Sequence, residues 1–222
     1  MSPLIHIANK HANEYGSSKA ESYYEVYQDY FQQLTEKKLN ILEVGTCYGQ
    51  GAKLFSEYFS NSKIVTIDID IKEINFSEHP NISYVKCDQG KKEELEKVVA
   101  EHFSDGIDIV IEDGGHYGRL SKRTFDYVFP HVKSGGFYVV EDWGTGYWKD
   151  WADGMAYQDI KFEGRKIISH DFGMVGFVKS LIDEVGASDI KPDKLGDIFI
   201  KTKKQTVKYI HYYPGLVIMK KL

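Results

Sequence analysis

The sequence predicts an α/β fold, with a doubly wound and mostly parallel seven-stranded sheet that ends in an antiparallel hairpin. From residue 40 to residue 140, short apolar runs alternate with amphipathic helical patterns, as in parallel sheets with crossover helices. The last two apolar runs, 207–212 and 216–220, are joined tightly through Pro214 and Gly215. Such a short connection indicates a hairpin.

The size and charge of the chain narrow the function classes. The 222 residues, 42% of them hydrophobic, suit one domain with a sizeable core. A net charge of -5 disfavours a nucleic-acid binder, because such proteins usually carry a basic excess. We expect no membrane insertion, since no apolar run of about 18 residues and no signal-peptide pattern occur. With only two cysteines, a cytoplasmic location is expected.

The first predicted element is a helix over 18–34. It opens on Ser-Lys-Ala-Glu, which has the spacing of a capping box, and tyrosines then recur at helical intervals. Strands are predicted at 40–44, 63–67, 82–86, 107–111 and 136–140. Further helices are predicted at 52–59, 91–103, 120–129 and 172–185. Residues 143–170 show no clear period, and a loop of this length is usually functional or disordered.

A glycine-rich turn follows the first predicted strand. Residues 41–51 read Ile-Leu-Glu-Val-Gly-Thr-Cys-Tyr-Gly-Gln-Gly, the pattern of a strand, a turn and a helix start. Cys47 stands where the dinucleotide fingerprint has its second glycine, so a pyrophosphate cradle is a poor fit. Asp68 ends the next strand, at the position where a ribose diol is bound in such folds. A tight strand-to-helix connection without a ligand is the alternative.

Acidic residues follow the fourth and fifth predicted strands. Asp113 and His116 flank two glycines after the fourth, and Glu141 and Asp142 follow the fifth. Neighbouring strands would bring the three carboxylates together. There they would repel one another unless a cation binds between them. A site of oxygen ligands favours Mg²⁺, Mn²⁺ or Ca²⁺. His116 suits a general base. Each of these residues has an alternative role. Asp113 could be a helix N-cap, and His116 could be a surface residue. Of the adjacent acids Glu141 and Asp142, one could point away from the metal.

These motifs resemble the class I S-adenosylmethionine-dependent methyltransferases, which have a Rossmann-like fold. The branch that they resemble is the metal-dependent sugar O-methyltransferases of the macrocin and mycinamicin type. The resemblance covers almost the whole chain, from Gly-Ser-Ser-Lys at 16–19 through 130–142 to the ending at 210–217. One departure is Glu21-Ser22, where the family commonly has a histidine.

The resemblance implies S-adenosyl-L-methionine and a divalent cation, Mg or Mn, as cofactors. It implies that Glu43 faces the methionine ammonium, that Asp68 holds the ribose and that Asp88 lies beside the adenine. The other cofactor-binding positions are Gly45, Thr46, Tyr48, Gly49 and Gln89. The implied metal ligands are Asp113, Glu141 and Asp142. The implied catalytic residues are His116, as the general base, and Asp113.

The implied reaction is methyl transfer to a sugar hydroxyl of a glycoside, glycan or nucleotide-linked sugar. A catechol-like acceptor, an oxidative step, and a non-catalytic partner protein that binds cofactor or glycan are the alternatives. We expect a single methyltransferase domain over 1–222, with an N-terminal helical segment over 1–38 and an active-site lid loop over 143–170. The expected partner is a small carbohydrate or glycoside and not a nucleic acid, and a homo-oligomer is left open.

Two surface features have alternative interpretations. The first part of the loop contains four aromatic residues, Trp143, Tyr147, Trp148 and Trp151. Their flat rings suit packing against a sugar ring, and the loop itself suits closure over the site. A small core beneath the loop or a dimer contact is the alternative. Three basic residues lie at the start of the helix predicted at 120–129: Arg119, Lys122 and Arg123. They either bind a substrate phosphate or form a solvated face of the helix.

Overall fold

A computed structural model describes residues 3–15, 19–156, 170–186 and 206–222, and the structural statements below concern these residues. Seven strands are present: β1 (Asn40–Val44), β2 (Lys63–Asp68), β3 (Ile82–Lys86), β4 (Ile107–Glu112), β5 (Val132–Glu141), β6 (Val207–Tyr212) and β7 (Leu216–Lys221). They form one sheet in the order β3-β2-β1-β4-β5-β7-β6. The four pairings among β1 to β5 are parallel, and β7 pairs antiparallel with β5 and β6. The predicted fold class is confirmed.

Helices cover both faces of the sheet. They are α1 (Pro3–Tyr15), α2 (Glu21–Phe31), α3 (Gln50–Tyr58), α4 (Lys92–His102), α5 (Gly118–Val128), α6 (Ala152–Met155), α7 (Gly173–Ser180) and α8 (Ile182–Gly186). Short 3-10 turns occupy Gln32–Leu34, Phe129–His131 and Trp143–Tyr147. No helix in the described ranges has the length and apolar character that crossing a membrane requires.

Alternation along the strands divides the apolar residues into two cores. In β1, Leu42 and Val44 pack on the face covered by α4, α5 and α7, whereas Ile41 packs on the face covered by α1, α2 and α3. Successive side chains of a strand point to opposite faces, and a strand covered on both sides is therefore apolar throughout. The sheet is the middle layer of a three-layer sandwich.

The strand order places a topological switch point between β1 and β4. The chain runs from β1 to β2 and β3 in one direction and then continues on the other side of β1 with β4 and β5. Val44 and Glu112, the last residues of β1 and β4, lie side by side in the parallel register. Open α/β sheets bind their ligands beyond the carboxyl ends of the strands at such a point. A ligand-binding site is therefore expected at the turns after β1, β4 and β5.

The N-terminal helices differ from the prediction. The helix predicted over 18–34 begins at Glu21, and Ala20 is its N-cap without a side-chain hydrogen bond, so the capping box was wrong. Residues 16–18 lie outside the described residues. The helix α1 was not predicted as a separate element, although its buried residues Leu4, Ile5 and Ala8 recur at helical spacing. Its short apolar face packs on α3.

The loop predicted over 143–170 contains more regular structure than its sequence indicates. Its first part forms the 3-10 turn Trp143–Tyr147 and the short helix α6. Residues 157–169 lie outside the described residues. The helix predicted over 172–185 is divided at Leu181 into α7 and α8.

Candidate active site

A large cavity of about 840 Å³ lies at the carboxyl ends of β1, β4 and β5. Its wall is formed by the start of α2, the glycine turn, the turn after β4, the end of β5, the aromatic loop and the hairpin turn. The carboxylates of Asp113, Glu141 and Asp142 and the imidazole of His116 all belong to this wall. The structure thus brings the acidic residues and the histidine predicted from the sequence into one crevice.

Strained backbone is concentrated in the same cavity. Within the described residues, the non-glycine residues with positive φ are Cys47, His116 and Asp142, at 51°, 52° and 53°. All of them line the large cavity. Such conformations cost an L-residue roughly 1–2 kcal/mol, and they tend to be kept where a site needs a particular direction of the side chain. At Asp142 the left-handed turn ends β5, so that Glu141 and Asp142 both face the cavity despite their adjacency.

The glycine turn is held by an acid and touches the turn after β4. The Asp68 carboxylate accepts the backbone N–H groups of Thr46 at 3.0 Å and Cys47 at 2.9 Å. Gly45 has a φ of +96°, and a Cβ there would lie 2.0 Å from the carbonyl oxygen of Asp113. Gly45 must therefore be glycine so that the two turns can meet. Gly49, with a φ of +83°, is the N-cap of α3.

A second cavity, of about 220 Å³, adjoins the large one. The two share Gly45, Cys47 and residues 113–115 in their walls. The small cavity is lined mainly by apolar side chains, such as Ile67, and by the acids Asp68 and Asp88. A narrow apolar slot with a few fixed polar groups is the usual form of a small-molecule site.

Glu43 lies beneath the glycine turn rather than in the cavity wall. Its side chain is 1% exposed, and the Thr66 hydroxyl donates a hydrogen bond of 2.6 Å to Oε2. A Cβ on Gly51, which lines the large cavity, would lie 2.0 Å from Oε1 of Glu43. A side chain at position 51 would therefore collide with this carboxylate and separate it from the cavity. Burial raises the pKa of Glu43 to about 7.

The remaining predicted cofactor residues have different surroundings. Thr46 is buried, and its hydroxyl shares a 2.7 Å hydrogen bond with Thr66. Tyr48 lines neither cavity; its ring is 47% exposed and lies beneath the ammonium of Lys72.

Gln89 lines the small cavity, but its amide is engaged inside the protein. Its Nε2 donates to Oε1 of Glu112 and to Oγ1 of Thr124, both at 3.0 Å. Its Oε1 accepts the N–H of Gly115 at 2.9 Å. A Cβ on Gly114 would lie 2.0 Å from this oxygen. The amide therefore supports the turn that carries Asp113 and His116.

A group that can hold a metal ion is formed by Asp113, His116 and Asp142. One ligand atom from each lies within 4.8 Å of the others. Nε2 of His116 is 3.8 Å from Oδ1 of Asp113 and 3.8 Å from Oδ2 of Asp142. The two carboxylates suit a hard divalent cation, and an imidazole that does not bind the cation keeps its nitrogen available for a proton.

Glu141, which the sequence resemblance implied as a metal ligand, lies outside this group. The Tyr27 hydroxyl donates to its Oε1, and the Lys19 ammonium donates to its Oε2 at 2.7 Å. The side chain is 1% exposed. Burial and the Asp113 carboxylate raise the pKa of Glu141, and the bonds from Lys19 and Tyr27 oppose this shift.

Three site residues on the N-terminal segment were missed by the sequence analysis. Lys19 also donates to Oδ2 of Asp113, and the Tyr23 hydroxyl donates to Oδ1 of Asp142 at 2.6 Å. Burial opposes the charge of Lys19, but Asp113 and Glu141 hold its pKa well above the usual value. Tyr23 and Tyr27 lie four residues apart on one face of α2, a spacing that could have linked these two, whereas Lys19 precedes the helix and no helical spacing points to it.

The aromatic loop is divided between core and cavity. Trp143 packs against the core, and its Nε1 donates to the carbonyl oxygen of Tyr213 at 3.0 Å. Trp148 and Trp151 line the large cavity, and the Trp151 ring meets the His116 ring edge-on at 5.2 Å. Trp143 therefore belongs to the core beneath the loop, and a role of Trp148 and Trp151 toward a sugar stays a prediction.

The basic residues at the start of α5 do not converge on one point. Arg123 donates to the carbonyl oxygen of Gly90 at 2.7 Å, and Lys122 pairs with Asp126 at 2.6 Å. The Arg119 guanidinium lies over the Tyr117 ring. This arrangement favours a solvated helix face over a phosphate site.

Comparisons with known proteins find methyltransferases among curated proteins and solved structures. No family model matches the chain. It is 27% identical over 219 residues to the 8-demethyl-8-alpha-L-rhamnosyl tetracenomycin-C 2'-O-methyltransferase of Streptomyces olivaceus, which covers 95% of the chain and 53% of that protein. It is 28% identical over 174 residues to the demethylmacrocin O-methyltransferase of Streptomyces fradiae, covering 75% and 40%. The chain spans about half the length, or less, of these relatives.

Solved structures match over nearly the whole chain. The MycE methyltransferase of the mycinamycin pathway, in complex with Mg and SAH, superimposes with a TM-score of 0.76 at 23% identity. The match covers 99% of this chain and 54% of that one. The chain has the class I methyltransferase fold. Its relatives are sugar O-methyltransferases of the macrocin and mycinamicin type, so the resemblance that the motifs predicted is confirmed.

Proposed function

We propose that this chain is an S-adenosylmethionine-dependent O-methyltransferase that acts on a sugar hydroxyl with a divalent metal and a histidine base. The observation that carries the proposal is the meeting of Asp113, His116 and Asp142 in the large cavity, where the small acid-lined cavity adjoins it. The tetracenomycin and macrocin methyltransferases to which the chain is similar support the choice of reaction.

The small cavity fits the adenosine part of the cofactor. Its apolar side chains suit the adenine, and Asp68 and Asp88 suit the ribose diol and the base edge. Glu43, reached past Gly51, supplies a negative charge for the methionine ammonium. When bound, S-adenosylmethionine supplies the methyl group on a positively charged sulfur, a charge that the acidic crevice favours.

The large cavity fits the metal and the acceptor hydroxyl. Asp113 and Asp142 would hold the metal through the two oxygens that face His116. When bound, the divalent cation would orient two substrate oxygens and lower the pKa of a hydroxyl. His116 takes the hydroxyl proton on Nε2, and the edge of Trp151 restricts its imidazole from one side. Gln89 maintains the turn on which these residues lie.

The acceptor side of the cavity suits a carbohydrate. Trp148 and Trp151 line the cavity together with the carboxylates, and indole rings suit packing against the apolar side of a sugar ring. The whole chain then acts as one methyltransferase domain, with the N-terminal helical segment and the aromatic loop as two walls of its acceptor site. A catechol would also present two adjacent oxygens to a cation, and an experiment must separate these acceptors.

The test is transfer of a radiolabelled methyl group from S-adenosylmethionine to a panel of deoxyhexosyl glycosides and catechols. We expect transfer to glycosides that disappears with EDTA and returns with Mg²⁺ or Mn²⁺. Full activity in EDTA would contradict the metal-assisted mechanism. Turnover of catechols alone would overturn the proposed acceptor, and absence of any transfer would favour a binding protein.

A further inference from the structure

The N-terminal segment supplies a cation to the carboxylate cluster. The Lys19 ammonium donates to Asp113, which follows β4, and at 2.7 Å to Glu141, the last residue of β5. The side chain of Lys19 is 14% exposed. Its own N–H donates to the Tyr24 hydroxyl at 3.0 Å, which fixes the backbone at this position. Lys19 is therefore built into the site and differs from a mobile surface lysine.

The oxygens of the cluster fall into two sets. One set is bound by the N-terminal segment: Oδ2 of Asp113 and Oε2 of Glu141 by Lys19, Oε1 of Glu141 by Tyr27 and Oδ1 of Asp142 by Tyr23. The other set faces His116 and consists of Oδ1 of Asp113 and Oδ2 of Asp142. A metal ion can use the second set at once, but Glu141 can become a ligand only if Lys19 releases it.

We propose that Lys19 is a tethered counter-cation that holds Asp113 and Glu141 together in the metal-free protein and competes with the divalent metal for them. The inference rests on the proposed function, because it concerns the metal used there. An ammonium and a divalent cation repel each other and seek the same carboxylate oxygens. Lys19 therefore keeps the acids from repelling one another before the metal arrives, and it lowers the affinity for the metal.

This role connects metal binding with the wall of the acceptor site. Lys19, Ser22 and Tyr23 line the large cavity from the start of α2. If Lys19 released Asp113 and Glu141 to the metal, the segment that leads into α2 would lose its two bonds to these acids. The predicted ligand set and the observed geometry then describe two states of one site, with and without metal.

The experiment compares Mn²⁺ binding by the wild-type chain and by Lys19→Met, without S-adenosylmethionine, by isothermal titration and by the electron paramagnetic resonance of free Mn²⁺. Because Lys19→Met frees two oxygens and removes a repelling charge, we expect its Kd to fall by about tenfold or more. Lys10→Met is the matched control, since Lys10 pairs with Glu57 on the surface. Its Kd should equal that of the wild type.

A second measurement covers the metal-free state. In EDTA, Lys19→Met should unfold at a lower temperature than the wild type, and Mn²⁺ should raise its Tm by more. Lys19→Gln, which keeps hydrogen-bond donors without the charge, should also bind Mn²⁺ more tightly and serves if Lys19→Met does not fold. If the wild type binds Mn²⁺ and the uncharged variants bind it equally or more weakly, the competition is refuted and the proposed function stands. If no variant binds Mn²⁺, the metal of the proposed function fails as well.

Discussion

The two sides of the crevice are held together in different ways. On the proposed cofactor side, the glycine turn is bound by Asp68, which lies 22 residues further along the chain and accepts backbone N–H groups. On the proposed acceptor side, the acids are bound by Lys19 and Tyr23, which lie 94 to 122 residues away in sequence and donate from side chains. The first side is a local backbone structure, and the second depends on tertiary contacts between charged groups.

This difference separates the effects that substitutions should have. Changes on the cofactor side should act mainly through the fold, because close backbone contacts cannot relax. Changes on the acceptor side should act mainly through chemistry, because the carboxylates are kept for binding rather than for packing. The predictions below test this separation, beginning with the largest expected effect.

Asp113→Asn should remove methyl transfer while leaving cofactor binding intact. The substitution preserves shape but takes a charge from the proposed metal site, so we expect kcat/KM to fall by at least about 1,000-fold, or about 4 kcal/mol. Binding of S-adenosylhomocysteine, measured by calorimetry, should change little. Asp105→Asn, on the surface, is the matched control. Retention of more than a tenth of the activity in Asp113→Asn would remove this carboxylate from the mechanism.

Gly45→Ala should damage the fold. A Cβ at Gly45 would lie 2.0 Å from the Asp113 carbonyl oxygen at a φ of +96°, and we expect a loss of about 4 kcal/mol in the free energy of unfolding. Gly135 has a φ of +77° and no atom within 4 Å of the same position, so Gly135→Ala isolates the backbone strain, about 1–2 kcal/mol. Urea denaturation compares the two. Equal losses would show that the contact between the turns is unimportant.

Glu43→Gln should change how stability depends on pH. Burial raises the pKa of Glu43 from 4.5 to about 7. Ionisation of this carboxyl therefore lowers the free energy of unfolding of the wild type: not at all below pH 4.5, progressively between pH 4.5 and pH 7, and by a constant amount above pH 7. The glutamine variant avoids this cost. Relative to the wild type, it should gain about 2 kcal/mol in the free energy of unfolding between pH 5 and pH 8. A difference that does not vary with pH would contradict the raised pKa.

Trp148→Ala should affect the acceptor alone. Trp148 is 54% exposed, so the free energy of unfolding should change by no more than about 0.5 kcal/mol. The KM for a glycoside should rise by about tenfold, equivalent to about 1.4 kcal/mol, while the affinity for S-adenosylhomocysteine stays constant. Trp143→Phe, which loses the bond to Tyr213, should instead lower stability by about 1 kcal/mol. An unchanged KM in Trp148→Ala would place the acceptor elsewhere.

Local pattern was sufficient for the sheet and for the position of the glycine turn. The strands of the parallel core and the hairpin are apolar runs with clear turn signals, and Asp68 lies close to the glycine turn in sequence. The capping box failed because its spacing is too short a signal to place a helix start, which lies at Glu21. The short helix α6 was missed because its position depends on Asp153, whose carboxylate accepts the N–H groups of Gly118 and Met174.

The acceptor side could be predicted only in part. The acids and His116 follow neighbouring strands, and their convergence follows from the topology. The role of the N-terminal segment could not be inferred in the same way, because no local pattern tells which strand ends Lys19 and Tyr23 will reach. Glu141 shows the consequence: its position at the carboxyl end of the fifth strand was expected, whereas its bonds to Lys19 and Tyr27 depend on contacts distant in sequence.

A crystal structure of the chain with S-adenosylhomocysteine and Mn²⁺, using the anomalous signal of manganese, tests the proposed site most directly. We expect one manganese peak beside His116, bound by Asp113 and Asp142 and by Glu141 once Lys19 has released it, with the adenosine in the small cavity between Asp68 and Asp88. Bound S-adenosylhomocysteine without manganese at these carboxylates, at a saturating concentration of the metal, would contradict metal-assisted methyl transfer at this site.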